Sequence, residues 1–326
     1  MEHRRLGNTG LKVSVISLGC MAFGRWIDEK TSLQVFDAAL DAGITLFDTA
    51  DIYGRGMDSR NPLQSGESEA ILGRIIQKRR SKIILATKVN GKVGLGPNDH
   101  GLSRYHITRA IEDSLKRLQT DVIDLYQVHR FDPDTPLEET LGALDDLVKQ
   151  GKVRYIGCSN YAAWQIAKAH GISQQKGLNR FVSVQPPYSL LVRDIEQELL
   201  PFCESEGVGA IVYSPLARGL LTGKYVDGGA HPAGSRADRA DRALLALLAK
   251  PQILQNVCKL QEFANERGWS LPCMALAWVA KRAGVASAIL GASRPEHVQA
   301  IEGLAEIKLQ EEDMVVLDSI CTSPSG

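Results

Sequence analysis

In the stretch LFDTADIYG an apolar run stops at Asp48, and a second acid, Asp51, and a phenol, Tyr53, follow within five positions. Two further apolar runs end on groups able to carry or share a proton: IILATK closes on Lys88 and VIDLYQVH on His129. Taken singly, an aspartate at a strand end caps a turn, a tyrosine packs and a lysine is solvated. Together they form a proton-donating set. An ammonium beside a phenol favours phenolate and lowers the phenol pKa from its usual value of about 10, and a carboxylate keeps that ammonium charged and in place. On this reading Tyr53 donates, Lys88 and Asp48 tune and orient it, and His129 adds a hydrogen bond to a substrate oxygen.

Such a set works only if the chain brings these strand ends to one place. Short apolar β-type runs alternate with helix-period segments along the whole sequence. After an N-terminal hairpin (RRLGNTGLKVS) come runs near Ile16, ending at Asp48, at Lys88 and at His129, near Ile156, ending at Gln185 and at Ser214, and near Ile289, eight in all. Between them lie eight segments with helical spacing, at 29–43, 67–80, 103–118, 136–151, 161–171, 195–207, 253–268 and 294–304. Several open on Ser, Asp or Pro and close on Gly, as helix ends prefer. Strand then helix, eight times, predicts a (β/α)8 TIM barrel spanning 1–326 as one domain, with insertions in the loops at its C-terminal mouth, where catalytic groups of such barrels gather. A doubly wound sheet is the competing fold, but its dinucleotide form needs GxGxxG after the first strand. SLGCMAFG breaks that spacing and GLGPND lacks the third glycine.

The bulk numbers narrow the partners. Thirty-eight basic residues balance thirty-eight acidic ones, so no global attraction to nucleic acid or to an anionic membrane is expected. The one short basic run is Lys78–Arg80. No apolar run approaches the roughly 18 residues of a membrane helix and the N-terminus lacks a signal-type apolar stretch, which predicts a cytoplasmic protein. The six cysteines show no CxxC pair and the seven histidines no HExxH. Reduced, packed thiols and no metal site are therefore expected.

Six stretches in order, FDTADIYG, the ATK ending at Lys88, YQVH ending at His129, GCSN at 157–160, VQPPYS from Val184 and YSPLARGLLTGKY from Tyr213, resemble the aldo-keto reductase superfamily. The similarity runs from GLKVSVISLG to GASRPEHV and looks strongest toward the branch with potassium-channel β-subunits and bacterial reductases. The resemblance implies a barrel that binds NADP(H) across its mouth without a Rossmann fold and reduces a small-molecule aldehyde or ketone, with Asp48, Tyr53, Lys88 and His129 as the catalytic tetrad. It implies cofactor contacts from Gly19, Cys20, Met21 and Asp48, from Ser159, Asn160 and Gln185 to the nicotinamide amide, and from Tyr213 stacking on its ring. Ser214, Pro215, Leu216, Lys224 and Arg236 follow around the pyrophosphate segment, and Gly291, Ser293, Arg294 and His297 around the adenosine 2'-phosphate. Two features depart from the family pattern. Ala300 and Ile301 stand where a Glu and an Asn commonly hold the adenine, and the loop after Tyr53 (GRGMDSRNPLQSGESE) is longer than usual.

The resemblance leaves other readings open. A cofactor-sensing regulatory subunit with little turnover, or a sugar or polyol dehydrogenase working in the oxidative direction, would keep the same residues. Oligomeric state and substrate are not written in the sequence. Trp26, Met21, the 54–66 loop, the 89–104 loop and the 217–245 segment are expected to shape the pocket, and the short tail after Leu309 to leave it open on that side.

Overall fold

In the computed structural model, which describes residues 1–226 and 234–321, strands β1 (His3–Arg5) and β2 (Lys12–Ser14) pair antiparallel as the expected hairpin. Eight parallel strands follow: β3 (Ile16–Gly19), β4 (Leu46–Asp48), β5 (Ile84–Val89), β6 (Ile123–Val128), β7 (Val153–Ser159), β8 (Ser183–Gln185), β9 (Gly209–Tyr213) and β10 (Val285–Gly291). They close into a barrel in chain order, β10 pairing back onto β3. The (β/α)8 architecture is thus as the alternation predicted.

Alternation along each strand sorts side chains between two cores. In β5, Ala86 faces the barrel interior, where it meets Leu46, Leu125, Ile211, Ala286 and Ile289, while Leu85 and Val89 pack outward with the helices. Leu6 and Val13 of the hairpin join that inner cluster, so the hairpin plugs the N-terminal end and leaves the opposite end for polar groups. Gly7, at φ +55°, sits so close to Gly207 and Gly209 that a Cβ there would come within 2.4 Å of the Gly207 carbonyl oxygen. Only glycine permits that approach.

The helices depart from the sequence reading in six places. The segment expected at 161–171 runs on as Ala163–Lys176, because Gly171 lies within the helix and Gly177, in the left-handed region, is the true stop. The helix expected from 195 starts at Leu199, preceded by a 3-10 turn at Asp194–Glu196. That start puts Pro201 in the first turn, where its missing N–H costs nothing. The helix expected at 294–304 is one turn, Glu296–Gln299, followed by 3-10 geometry at Glu302–Glu306. There the Cys273 thiol donates to the Ala300 carbonyl at 2.9 Å and Gly303 disfavours a continuing helix. Helices at Arg242–Leu248, Leu271–Lys281 and Glu311–Cys321 were not expected. Eight of the eleven residues of Leu271–Lys281 are buried, and a helix apolar all round carries no periodic stripe to read. The tail after Leu309 is accordingly a helix, tied down by the Arg267–Asp313 ion pair at 2.9 Å and by Trp278 Nε1 donating to Asp318 at 3.0 Å.

Among the described residues no helix is long and apolar enough to cross a membrane, and no cluster of three His, Cys, Asp or Glu could hold a metal ion. All six cysteines are free, four of them buried. Two of the residues in the basic run 78–80 are paired: Arg79 with Asp37 at 3.1 Å and Arg80 with Asp124 at 2.8 Å.

Candidate active site

Closing the barrel brings the ends of β4, β5 and β6 together at the mouth. Lys88 is fully buried and its ammonium donates to Asp48 Oδ2 at 2.5 Å, to the Thr49 carbonyl at 2.9 Å and to the Tyr53 hydroxyl oxygen at 3.3 Å. The His129 ring meets the Tyr53 ring edge-on, with centroids 5.6 Å apart. The four candidate catalytic residues therefore form one constellation.

Asp48 is held by more than its lysine. Gln127 Nε2 donates to Asp48 Oδ1 at 3.1 Å, Gln185 Nε2 donates to the same oxygen at 2.9 Å, and Gln185 also reaches Gln127 Oε1 at 3.2 Å. These three residues come from β4, β6 and β8, the alternate strands that supply one layer of side chains inside such a barrel. Gln127 was missed in the sequence. It looks like any inward residue of a strand, and only its position one layer in line with Asp48 reveals it.

The electrostatics correct one expectation. Burial raises the Tyr53 phenol above its ordinary value, and Asp48 adds to this; Lys88 opposes it without prevailing. Lysine does act on the phenol in the sense expected, but desolvation of a phenolate outweighs it. Burial alone would depress the Lys88 ammonium, yet the charge of Asp48 and the bond to the Tyr53 oxygen push it above its usual range, so it stays cationic. His129 is held well below the ordinary imidazole range by burial, by Lys88 and by Arg130. It is neutral at physiological pH, and its Nδ1 is buried with no hydrogen-bond partner. A neutral imidazole can donate one hydrogen bond but is no reservoir of protons. The remaining acid in the set is the phenol.

Asp51, the second carboxylate of the opening motif, does not join this group. It lies behind the barrel wall, 1% exposed, where burial and the Glu69 charge raise its pKa well above the usual range.

The residues expected at a cofactor ring the same mouth. Ser159 Oγ donates to the Gln185 carbonyl at 2.8 Å. Asn160, in the left-handed region at φ +57°, donates to the His129 carbonyl at 3.0 Å and accepts the Tyr213 hydroxyl at 2.9 Å. Gly19 pairs with both Asp48 and Gly291 across the top of the barrel. The Cys20 side chain is fully buried and Met21 half-buried, so Cys20 can offer a ligand only its backbone.

Beyond β9 the chain winds tightly. Ser214, Ala217, Arg218 and Gly219 all have positive φ, between +47° and +100°, the last three within a 3-10 segment at Ala217–Thr222 that Ser214, Pro215 and Leu216 lead into. Backbone of this kind forms anion-binding concavities. Just before that segment, Pro215 is buried and Leu216 half-buried. A Cβ on Gly219 would stand 3.3 Å from Lys224 Nζ, so the glycine lets the ammonium lie against the wound turn. Arg236 and Arg218 share Asp241 at 3.4 and 2.9 Å. Trp26 is surrounded by guanidinium groups, Arg25 at 4.5 Å, Arg236 at 5.1 Å and Arg239 at 5.3 Å from its ring centroid, which joins the loop after β3 to the 234–241 segment. The part of the 217–245 segment at 227–233 lies outside the described residues. The long loop at 54–66 is ordered by a helical turn at Gly56–Ser59, by Arg25 bonding both Asp58 oxygens and by the Arg55–Glu67 pair.

At the end of β10, two N–H donors converge on one ring: Ser293 N reaches His297 Nδ1 at 3.3 Å and Arg294 Nε reaches His297 Nε2 at 2.9 Å. A neutral imidazole accepts at only one nitrogen, and burial with the charges of Arg294 and Lys224 depresses the His297 pKa. The site thus has more donors than acceptors, which suits a phosphate. The adenine-side departures bear on this too: Ile301 turns into the core at 4% exposure while Ala300 is exposed. The donor set as a whole fits a phosphorylated dinucleotide.

The family model described as "Aldo/keto reductase family" matches residues 15–321. The uncharacterized oxidoreductase YrpG of Bacillus subtilis is 41% identical, the match covering 100% of this chain and 98% of the relative. A probable voltage-gated potassium channel subunit beta of Arabidopsis thaliana is 37% identical over 92% of this chain and 89% of its own length. The versiconal hemiacetal acetate reductase of Aspergillus parasiticus is 33% identical over 98% and 96%.

Proposed function

The chain belongs to the aldo/keto reductase family, and from that premise we propose that it is a cytoplasmic, NADPH-dependent reductase that converts an aldehyde or ketone to an alcohol, with Tyr53 as the proton donor. The observation that carries this reading is the position of Lys88 Nζ, bonded to Asp48 Oδ2 at 2.5 Å and to the Tyr53 oxygen at 3.3 Å. When bound, the nicotinamide cofactor supplies the hydride; the protein supplies position and a proton.

The proton comes from Tyr53. As negative charge grows on a carbonyl oxygen, the phenol must lie within about 2.6–3.2 Å of that oxygen to deliver it. Lys88 stabilises the phenolate left behind, an effect strengthened by its burial. Asp48, fixed by Gln127 and Gln185, holds the ammonium in place. Neutral His129 offers one N–H to the same substrate oxygen and so orients the carbonyl without competing as the acid. For the cofactor, Ser159, Asn160 and Gln185 would hold the nicotinamide amide and Tyr213 its ring. Gly19, Cys20, Met21 and Asp48 would line its inner edge. Ser214, Pro215, Leu216, Lys224 and Arg236 would hold the pyrophosphate, and Gly291, Ser293, Arg294 and His297 the 2'-phosphate. Backbone N–H groups and a guanidinium suit those anions.

The test is NADPH consumption across a panel of aldehydes, ketones and keto-sugars, with wild type and Tyr53→Phe side by side. Turnover by wild type that vanishes in the variant supports the reading. A second reading, a cofactor-binding regulatory subunit, is favoured by the channel-subunit names among the relatives. It would appear as tight NADPH binding with no turnover on any carbonyl.

A further inference from the structure

A second buried cluster stands back to back with the tetrad, on the outer side of the same strand. One residue before Lys88, Thr87 points outward and donates to Glu69 Oε1 at 2.6 Å. Glu69 is fully buried in the first turn of the helix Glu67–Ile76. Its other oxygen accepts from Arg117 Nε at 2.7 Å and from Ser114 Oγ at 3.3 Å. Helix and neighbour are pressed together: a Cβ on Gly66 would meet Arg117 Cδ at 2.6 Å, and one on Gly73 would meet the Arg117 carbonyl oxygen at 2.2 Å.

The same helix turn grips the loop that carries Tyr53. Ser68 N donates to the Tyr53 carbonyl at 3.1 Å. Its hydroxyl donates to the Cys20 carbonyl at 2.8 Å and lies 2.8 Å from Thr49 Oγ1. From the strand side, Asp51 N donates to the Lys88 carbonyl at 3.1 Å. Glu69 thus sits at the junction of two routes, one through Thr87 to Lys88 and the other through Ser68 to Tyr53.

We propose that Glu69 is a positioning residue for the proton donor: its bond to Thr87 fixes the helix turn against β5, and through Ser68 that turn sets the distance between the Tyr53 hydroxyl and Lys88. Glu69 touches neither group. The alternative is that a buried carboxylate beside Arg117 merely holds two helices together, in which case its loss lowers stability and leaves the rate of the folded enzyme alone. The distinction is measurable because misplacement of a reacting group by about 1 Å can cost about 100-fold.

The inference rests on the proposed role of Tyr53, so Tyr53→Phe is assayed alongside. Steady-state kinetics, NADPH affinity by fluorescence titration and the solvent deuterium isotope effect on kcat are measured for wild type, Glu69→Ala, Glu69→Gln and Thr87→Val, each normalised to folded protein. Glu69→Ala and Thr87→Val should lower kcat by about 10- to 100-fold while substrate KM and NADPH affinity stay close to wild type. The isotope effect should rise as transfer from a displaced phenol becomes limiting. Glu69→Gln keeps an oxygen for Thr87 and should recover most of the rate. If Glu69→Ala does not fold, Thr87→Val breaks the same bond from the strand side and carries the test. Wild-type kcat and isotope effect in these variants, with Tyr53→Phe inactive, would overturn the inference and leave the function intact. A Gln variant as slow as the Ala variant would also overturn it. Activity in Tyr53→Phe would instead remove the reading on which it rests.

Discussion

Gln185 donates its side-chain amide to Asp48 Oδ1 at 2.9 Å, across the barrel interior, from a position 137 residues further along the chain. The carboxylate that holds Lys88 is itself held by the far wall. A hydrogen bond to a charged group contributes about 1.5–3 kcal/mol, and a buried carboxylate that loses a donor has no water to replace it. Gln185→Leu should therefore lower unfolding stability by about that amount in denaturant titration, and activity should fall with it. Wild-type stability in this variant would mean that Lys88 and Gln127 suffice for Asp48.

Removing the phenol oxygen tests the proton donor. Tyr53→Phe should lower carbonyl reduction by at least the roughly 100-fold typical of a lost general acid, with NADPH affinity unchanged by titration. Activity within a few-fold of wild type would take Tyr53 out of the mechanism.

Because burial holds the Tyr53 phenol above its ordinary value, the acid form is the resident one across the neutral range. The rate of reduction should then show no loss from Tyr53 ionisation below about pH 10, and should fall only above it. In Lys88→Met the charge that favours phenolate is gone, so the falling limb should move to still higher pH while the maximum rate drops. A limb at neutral pH, assigned to Tyr53 by its loss in Tyr53→Phe, would contradict the direction stated here.

Asp51 gives a stability prediction with a definite sign. Its folded pKa is raised above the ordinary value of 3.8 by burial and by Glu69. The folded state therefore holds a proton that the unfolded state releases as pH rises past about 4, and stability declines with pH across that window. Asp51→Asn removes the proton exchange. It should raise Tm at pH 7, and the advantage should vanish near pH 3.5, as scanning calorimetry at both values would record. A variant destabilised more at pH 7 than near pH 3.5 would place Asp51 in an ionised, paired state.

The 2'-phosphate assignment predicts cofactor preference. A charged hydrogen bond from Arg294 is worth about 1.5–3 kcal/mol, or roughly 10- to 150-fold in affinity, so NADPH should bind more tightly than NADH by about that factor. Arg294→Ala should weaken NADPH and leave NADH nearly unchanged in parallel fluorescence titrations. Equal binding of both cofactors by wild type would make Arg294 no more than the partner of His297.

Local order was legible in the chain because a strand and the residue that ends it are neighbours in sequence. The eight apolar runs, the hairpin, and Asp48, Lys88 and His129 at run ends could all be read without knowing what lay across the barrel. The helix Leu271–Lys281 could not, since burial on every side erases its period. Nor could Gln127, whose importance lies in sharing a layer with Asp48 and Gln185, a relation that exists only once alternate strands close on one another. The net pKa direction at Tyr53 was misread for a similar reason. The nearby lysine is written in the sequence, but the depth of burial that outweighs it is a property of the whole fold. Residue type and spacing determined which groups could react. Closure of the barrel decided how far each was removed from water, and with that its protonation and its partners.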